Sequence, residues 1–408
     1  MPTPGNVEPA FSLGIEEEYL LVDLATRDLV ADPPAELLQR CIAETDGRVS
    51  PEFLRSQLEV KTSVCASVVS MRVELAELRR KVCQIAAEYG IAPIAASTHP
   101  FARPVSRPPH TDHERYADIA REVQGGARRM IICGMHVHVG LDDDELRIDV
   151  MNQLTYFIPH LLAMSCSSPF WEGDDMGMQS FRLMLLSSLP RTGLPERFES
   201  YGEFRRHLDA LVRNGLIEDT TKIWWDIRPS SRYPIGPSSG HFHPGTPPDI
   251  RPSSRYPTLE TRVFDCCTLL DDAVCLAALN LSLVRMLYRL RRDNKMWRRY
   301  PRMLIAENRW RAMRFGSEAS LLDLARGELV PFSDLLEELL AITHDDAVAL
   351  GCLAETEHAR VLIKRGTSAH QQMDVYQTAR SQGATDSEAL SAVVGWLARK
   401  TCEPSKAN

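Results

Sequence analysis

Five short stretches of this chain alternate apolar with ionisable residues, and that alternation restricts its fold more than any other feature. Side chains two apart on a strand share a face, so each stretch has one side fit for a core and one that is not. In 11–22, Phe11, Leu13, Ile15, Tyr19 and Leu21 oppose Gly14, Glu16 and Glu18. In 57–62, Leu58 and Val60 oppose Gln57, Glu59 and Lys61; in 130–140, Ile131, Cys133, Met135, Val137 and Val139 oppose Gly134, His136 and His138. In 222–228, Ile223, Trp225 and Ile227 oppose Lys222, Trp224, Asp226 and Arg228; in 258–265, Leu259 and Val263 oppose Glu260 and Arg262. Glu17 alone falls on an apolar side, where a carboxylate needs a buried partner.

Strands of this kind predict an antiparallel sheet covered by helices on one side, hence an α+β fold whose other side forms a concave site. Alone, an E-x-E or H-x-H pair on a strand is a common polar face. Together, Glu16, Glu18, Glu59 and Glu260 would repel one another strongly, and cations are the natural relief. Hard oxygen ligands favour Mg²⁺ or Mn²⁺ over zinc, and an imidazole from His138 is compatible with either.

Helical spacing is expected over 34–45, 68–89, 112–123, 145–165 and 201–213, and beyond 265 over 271–293, 301–314, 332–343, 354–364 and 384–398. The division that follows is a flexible 1–10, one catalytic domain over 11–398 (sheet-rich 11–265, helical 266–398) and a flexible tail 399–408. Within it, 229–257 is rich in Pro, Gly and Ser and reads as a long loop. It contains a duplication: DIRPSSRYP at 226–234 recurs at 249–257. One short copy is no solenoid, and loops accept such insertions because doubling their length costs only ~0.6 kcal/mol of closure entropy.

Composition narrows the function. A formal charge of -8 gives no basic footprint for nucleic acid. There is no uninterrupted apolar run of the ~20 residues a bilayer span needs, and no basic start followed by an apolar run, so a cytoplasmic address is expected. The ten cysteines are scattered without a C-x-x-C pair, which predicts reduced thiols rather than a disulfide frame or a zinc knuckle.

Seven segments, GIEEEYLLVD, QLEVKTSVC, STHPFA, GMHVHVGL, KIWWDIRPS, PTLETRVFD and AENRWRAMRFG, resemble in sequence and order the type 2 glutamate-cysteine ligase family of carboxylate-amine ligases, over about 11 to 395. The resemblance implies a glutamine synthetase-like fold, an antiparallel sheet funnel receiving ATP, divalent metal (Mg²⁺ or Mn²⁺) and an amino acid. It implies that Glu16, Glu18, Glu59, His138 and Glu260 hold metal and phosphate, with Arg262 nearest the transferred phosphoryl group and Glu260 beside it. Lys222, Trp224, Arg228 and Arg255 would serve the nucleotide, and Arg182, Arg191, His136, Asn308 and Arg309 the substrate. Because of the duplication, Arg251 competes with Arg228, and Arg232 with Arg255; continuity with the Trp224 strand favours Arg228, and nearness to Glu260 favours Arg255. His241 and His243, in the insert, are expected to be exposed and inert. The implied activity is amide formation through an acyl phosphate, with glutamate and cysteine as the named pair and a homodimer as a compatible assembly. A metal-dependent amide hydrolase and a non-catalytic ATP- or metabolite-binding protein are the rival readings.

Overall fold

The computed structural model describes residues 8–103, 110–112, 114–230 and 257–403. Its centre is a seven-stranded sheet: β1 (Leu13–Asp23), β2 (Val49–Pro51), β3 (Gln57–Lys61), β4 (Ile91–Ile94), β5 (Met135–Gly140), β6 (Ile227–Ser230) and β7 (Thr258–Thr261). The order is β6-β7-β5-β1-β3-β2, with β4 on the far half of β1, and every pairing is antiparallel. β6, at the edge, carries Pro229, which has no N–H to give a ladder.

Among the described residues the first eight helices are α1 (Ala35–Glu44), α2 (Val68–Glu88), α3 (Glu114–Val123), α4 (Asp144–Leu154), α5 (Ile158–Ser165), α6 (Phe181–Leu186), α7 (Tyr201–Arg213) and α8 (Leu270–Arg292). After them come α9 (Arg302–Phe315), α10 (Phe332–Ala349), α11 (Leu353–Arg365), α12 (Ser368–Ser381) and α13 (Asp386–Thr401). α2 packs against β1 and β3, α4 against β6 and β7, and α8 against β5. The buried apolar side chains form one connected cluster running from Phe11 to Ala398. α8 is long and apolar enough to cross a membrane, with a mean hydropathy of 1.5, but 78% of that window is buried, so its apolar surface is spent on the core.

Glu17 finds the partner its position demands. Arg79 of α2 grips it with Nε–Oε2 at 2.8 Å and Nη2–Oε1 at 2.6 Å, the Tyr19 hydroxyl donates to it, and all three side chains are buried.

Several boundaries differ from the periodicity. The strand expected over 222–228 is broken: Trp224–Trp225 pairs in parallel with Thr192–Gly193, and β6 begins only after Asp226. At Asp226 the backbone changes partners, its N–H donating to Gly193 O at 2.8 Å and its carbonyl accepting from Arg262 N at 2.7 Å, while its carboxylate takes both prongs of Arg309, Nε at 2.6 Å and Nη2 at 3.0 Å. The helix expected over 145–165 is interrupted by a 3₁₀ turn at Thr155–Phe157, and Pro159, which can offer no N–H, sits at the start of α5. α6, only six residues and apolar at all but Arg182, is too short to show a helical period, and α12 has too few apolar positions to stand out. The tail expected from 399 is helical to Thr401, and Cys402 is bonded to Cys83 of α2, correcting the expectation of reduced thiols throughout. That pair lies 319 residues apart in sequence, so no local spacing announced it; the other eight cysteines are free and buried. Most of the duplicated loop, including Arg232, His241, His243, Arg251 and Arg255, lies outside the described residues.

Candidate active site and metal centre

Strand register brings the ionisable faces into rows. Arg228 of β6 stands opposite Glu260 of β7, Glu260 opposite His138 of β5, and His138 opposite Gly14 of β1. His136, Glu16 and Lys61 form the next row, and Glu18, Glu59 and Ser50 the one after. These side chains do not form a solvated face: Glu16, Glu59, His136, His138 and Glu260 are all buried. Glu16, Glu59, His136 and Glu260 line a cavity of about 130 Å³ bounded by the sheet, the α6 region and Trp224–Asp226, and His138 lies behind them against Glu16.

Three sets of side chains here place potential ligand atoms within 4.8 Å of one another: Glu16, His138 and Glu260; Glu16, Glu59 and His136; Glu18, Glu52 and Glu59. Such crowding has an electrostatic signature. Burial and the neighbouring charge of Glu52 push the Glu18 carboxyl up to about 7. Burial alone would raise Glu16 too, yet His138, His136 and Lys61 hold it well below the usual carboxylate range. His136 is pushed down to about 3 by burial and by Arg262. A neutral His136 ring donating from Nδ1 to Glu16, 3.2 Å away, keeps an unprotonated Nε2, and that atom is buried without a hydrogen bond. His138 Nε2 is likewise buried and unbonded, 3.6 Å from Glu16, while its Nδ1 meets Thr258 Oγ1 at 3.1 Å. Burial would lower His138, but Glu16 and Glu260 raise it. Buried imidazole nitrogens lacking partners beside clustered carboxylates are a donor set that suits divalent cations.

The cationic side of the cavity centres on Glu260. Arg228 holds it with Nε–Oε2 at 2.7 Å and Nη2–Oε1 at 3.2 Å, and Arg262 also donates to Oε1. Burial opposes this charge, but the two guanidiniums keep Glu260 well below its ordinary range. Arg182 and Trp224 line the cavity as well.

Other expected residues lie behind the wall. Lys222 Nζ approaches Glu122 and Glu218 at 3.6 and 3.7 Å. Arg191 donates to Lys222 O at 2.8 Å and to Glu122, and its guanidinium covers the Trp224 ring at 5.5 Å. Asn308 brackets Leu322, accepting from its N–H at 2.7 Å and donating to its carbonyl at 2.8 Å. Arg309 is engaged by Asp226, which does line the cavity. Sequence reasoning missed Glu52, Trp225 and Tyr116, all on the cavity wall. Glu52 sits between β2 and β3 with no alternation around it; the short hairpin leading to Glu59 was the available signal.

Comparison with known proteins gives the family and the fold. The sequence profile of Glutamate-cysteine ligase family 2 matches residues 12–237 and 247–393. A protein of Rhodospirillum rubrum, provisionally named glutamate–cysteine ligase 2, is 52% identical over 401 residues, covering 97% of each chain. A protein of Paracoccus denitrificans with the same provisional name is 46% identical over 392 residues, covering 96% of this chain and 97% of its own. Among solved structures, the glutamate–cysteine ligase of Francisella tularensis in complex with AMP is similar with a TM-score of 0.65, across 98% of this chain and 90% of its own, at 14% identity. The bifunctional glutathione synthetase of Pasteurella multocida gives 0.66 across 96% of this chain and 52% of that longer one, also at 14% identity. The shared feature is the fold, an α+β architecture as the alternating strands predict and of the glutamine synthetase-like kind that the family resemblance implies.

Proposed function

Because this chain belongs to glutamate-cysteine ligase family 2, and is therefore an ATP-dependent ligase forming carbon–nitrogen bonds, we propose that its acidic cavity activates a substrate carboxylate as an acyl phosphate and delivers it to an amine. Glutamate and cysteine are the pair suggested by the names of the relatives. The observation carrying the reading is the convergence of Glu16, Glu59, His138 and Glu260, all buried, with the partly buried Glu18 and Glu52, from separate segments onto one side of the sheet. Gathering so many carboxylates where they are largely withdrawn from water is costly unless they serve a ligand.

Amide formation in water needs an activated carboxyl group, and phosphoryl transfer supplies it through a transition state rich in negative charge. Glu16, Glu18, Glu59, His138 and Glu260, with Glu52, would hold Mg²⁺ or Mn²⁺. When bound, such ions neutralise the phosphate oxygens. Arg262, tethered beside Glu260, is placed to stabilise the transferred phosphoryl group, and Arg228 fixes Glu260 from the other side. Trp224, braced by Arg191, offers a flat apolar wall for the nucleotide base. Arg182 is the cation for the substrate carboxylate, since a guanidinium binds a carboxylate with two parallel hydrogen bonds. Closing the cavity to water protects the acyl phosphate from hydrolysis.

Release of ADP with Mg²⁺, measured with glutamate and cysteine supplied together and then separately, tests the reading. Turnover needing both partners supports it. Nucleotide-independent amide cleavage, or ATP binding with no turnover on any carboxylate–amine pair, contradicts it. Glu260→Ala is expected to abolish turnover; Arg262→Lys is expected to fold normally and lose much of the rate, because an ammonium cannot reproduce the guanidinium fork.

A further inference from the structure

We propose that Gly134 and Asp265 form a seat that fixes the Arg182 guanidinium at the cavity wall, which makes both of them positioning residues for the substrate carboxylate. The substrate role rests on the ligase reading above; the seat itself rests on geometry. An arginine facing this cavity has strong alternatives, because Glu18 and Glu260 lie on the same wall and either would draw a loose guanidinium across it. Arg182 is instead held back along the sheet edge. Nη1 donates to Phe264 O at 3.1 Å, Nη2 approaches Arg262 O at 3.4 Å, and Asp265 Oδ1 lies 3.8 Å from Nη1.

Gly134 supplies the space. A Cβ at this position would lie 2.2 Å from Arg182 Nη2 and 2.8 Å from Cζ, so every other residue would evict the guanidinium. The same glycine donates its N–H to Glu18 Oε2 at 2.6 Å, so one backbone position sets the spacing between the arginine and a carboxylate of the candidate metal set.

Asp265 supplies the charge and the anchorage. It is completely buried, and its Oδ2 accepts from Ser167 N at 2.9 Å and Ser168 Oγ at 2.7 Å, while Oδ1 accepts from Ser180 Oγ at 2.9 Å. The Ser168 hydroxyl in turn accepts from Arg182 N at 3.1 Å, so the start of α6 and the tip of its arginine are tied to the same carboxylate. A carboxylate with three donors of its own beside the guanidinium is more than packing requires, and with the Phe264 carbonyl it holds the Arg182 tip against the wall. A guanidinium fixed in advance loses less conformational entropy when it takes a substrate carboxylate, and small misplacements of such clamps are expensive in rate.

Asp265→Asn is the cleaner variant, because it is nearly isosteric: its carbonyl oxygen can keep the Ser167 N–H and Ser168 hydroxyl as donors, and the Ser180 hydroxyl can reverse to accept from its amide. Gly134→Ala tests the seat sterically, and Arg182→Lys gives the reference effect. Phenylglyoxal labelling of Arg182, mapped by mass spectrometry, reads the seat without any substrate: slow labelling in the native protein and at least about tenfold faster labelling in Asp265→Asn or Gly134→Ala is expected. Steady-state ADP release by the folded variants reads the role: KM for glutamate should rise about tenfold, with KM for ATP and cysteine little changed. Unchanged labelling in both seat variants would overturn the seat. Equal changes in all three KM values, or a loss confined to kcat, would overturn the positioning role. A native enzyme with no carboxylate-dependent ADP release would instead contradict the ligase reading, and labelling would still decide the seat.

Discussion

Single side chains in this molecule are governed by where charge can be left. Glu17 illustrates it: strand alternation puts a carboxylate on the core side, and the fold answers with Arg79, which also donates to the carbonyls of Cys267 and Thr268 at 2.8 and 2.9 Å. Removing one partner of a buried pair leaves the other charge uncompensated, which typically costs about 3–5 kcal/mol. Arg79→Leu is therefore expected to destabilise the protein by about that amount in chemical denaturation, with Arg79→Leu/Glu17→Leu less severe than the single change. A single variant as stable as the native protein would show that the pair carries no such burden. At this scale much of the site was legible, because alternation alone assigns Glu16, Glu18, Glu59, His136, His138 and Glu260 to one set of faces. Glu52 was not legible, since it belongs to no strand and its position depends on a hairpin.

At the level of elements, the sheet was readable because its apolar sides must all meet one layer of helices, while breaks imposed from elsewhere were hidden. The interruption before β6 falls at Asp226, whose N–H goes to Gly193 and whose carboxylate goes to Arg309, both distant in sequence. The two-residue pairing of Trp224–Trp225 with Thr192–Gly193 likewise depends on tertiary contacts. By contrast, the β6–β7 hairpin could be anticipated from the duplicated motif at its two ends, since Ser230 pairs with Thr258 across the insertion. Deleting the 23 residues of one repeat period, 234–256, restores a continuous DIRPSSRYPTLETRVFD. Shortening this connection from 27 residues (231–257) to four lowers its closure cost by roughly 1.7 kcal/mol, so the shortened protein is expected to be no less stable and to keep its ADP-releasing activity within a few-fold. Loss of that activity in a folded deletion variant would assign a function to the second copy.

For the whole molecule, the organising fact is that one apolar layer and one acidic layer share the same strands. The apolar layer draws α2, α4 and α8 onto the sheet, and the helices that follow extend that core to α13, whose end is joined to α2 through Cys83 and Cys402. That closure was illegible because it joins residues that only the finished fold brings together. The acidic layer is the cost the fold accepts for a function, and the central claim is that its carboxylates and imidazoles form a cage for divalent ions. Mn²⁺ titration followed by the electron paramagnetic resonance of the free ion addresses this most directly, using the native protein, Glu16→Gln and Glu59→Gln. Saturable binding by the native protein, weakened at least about tenfold by either substitution, is predicted; Mn²⁺ bound equally well by all three would contradict it.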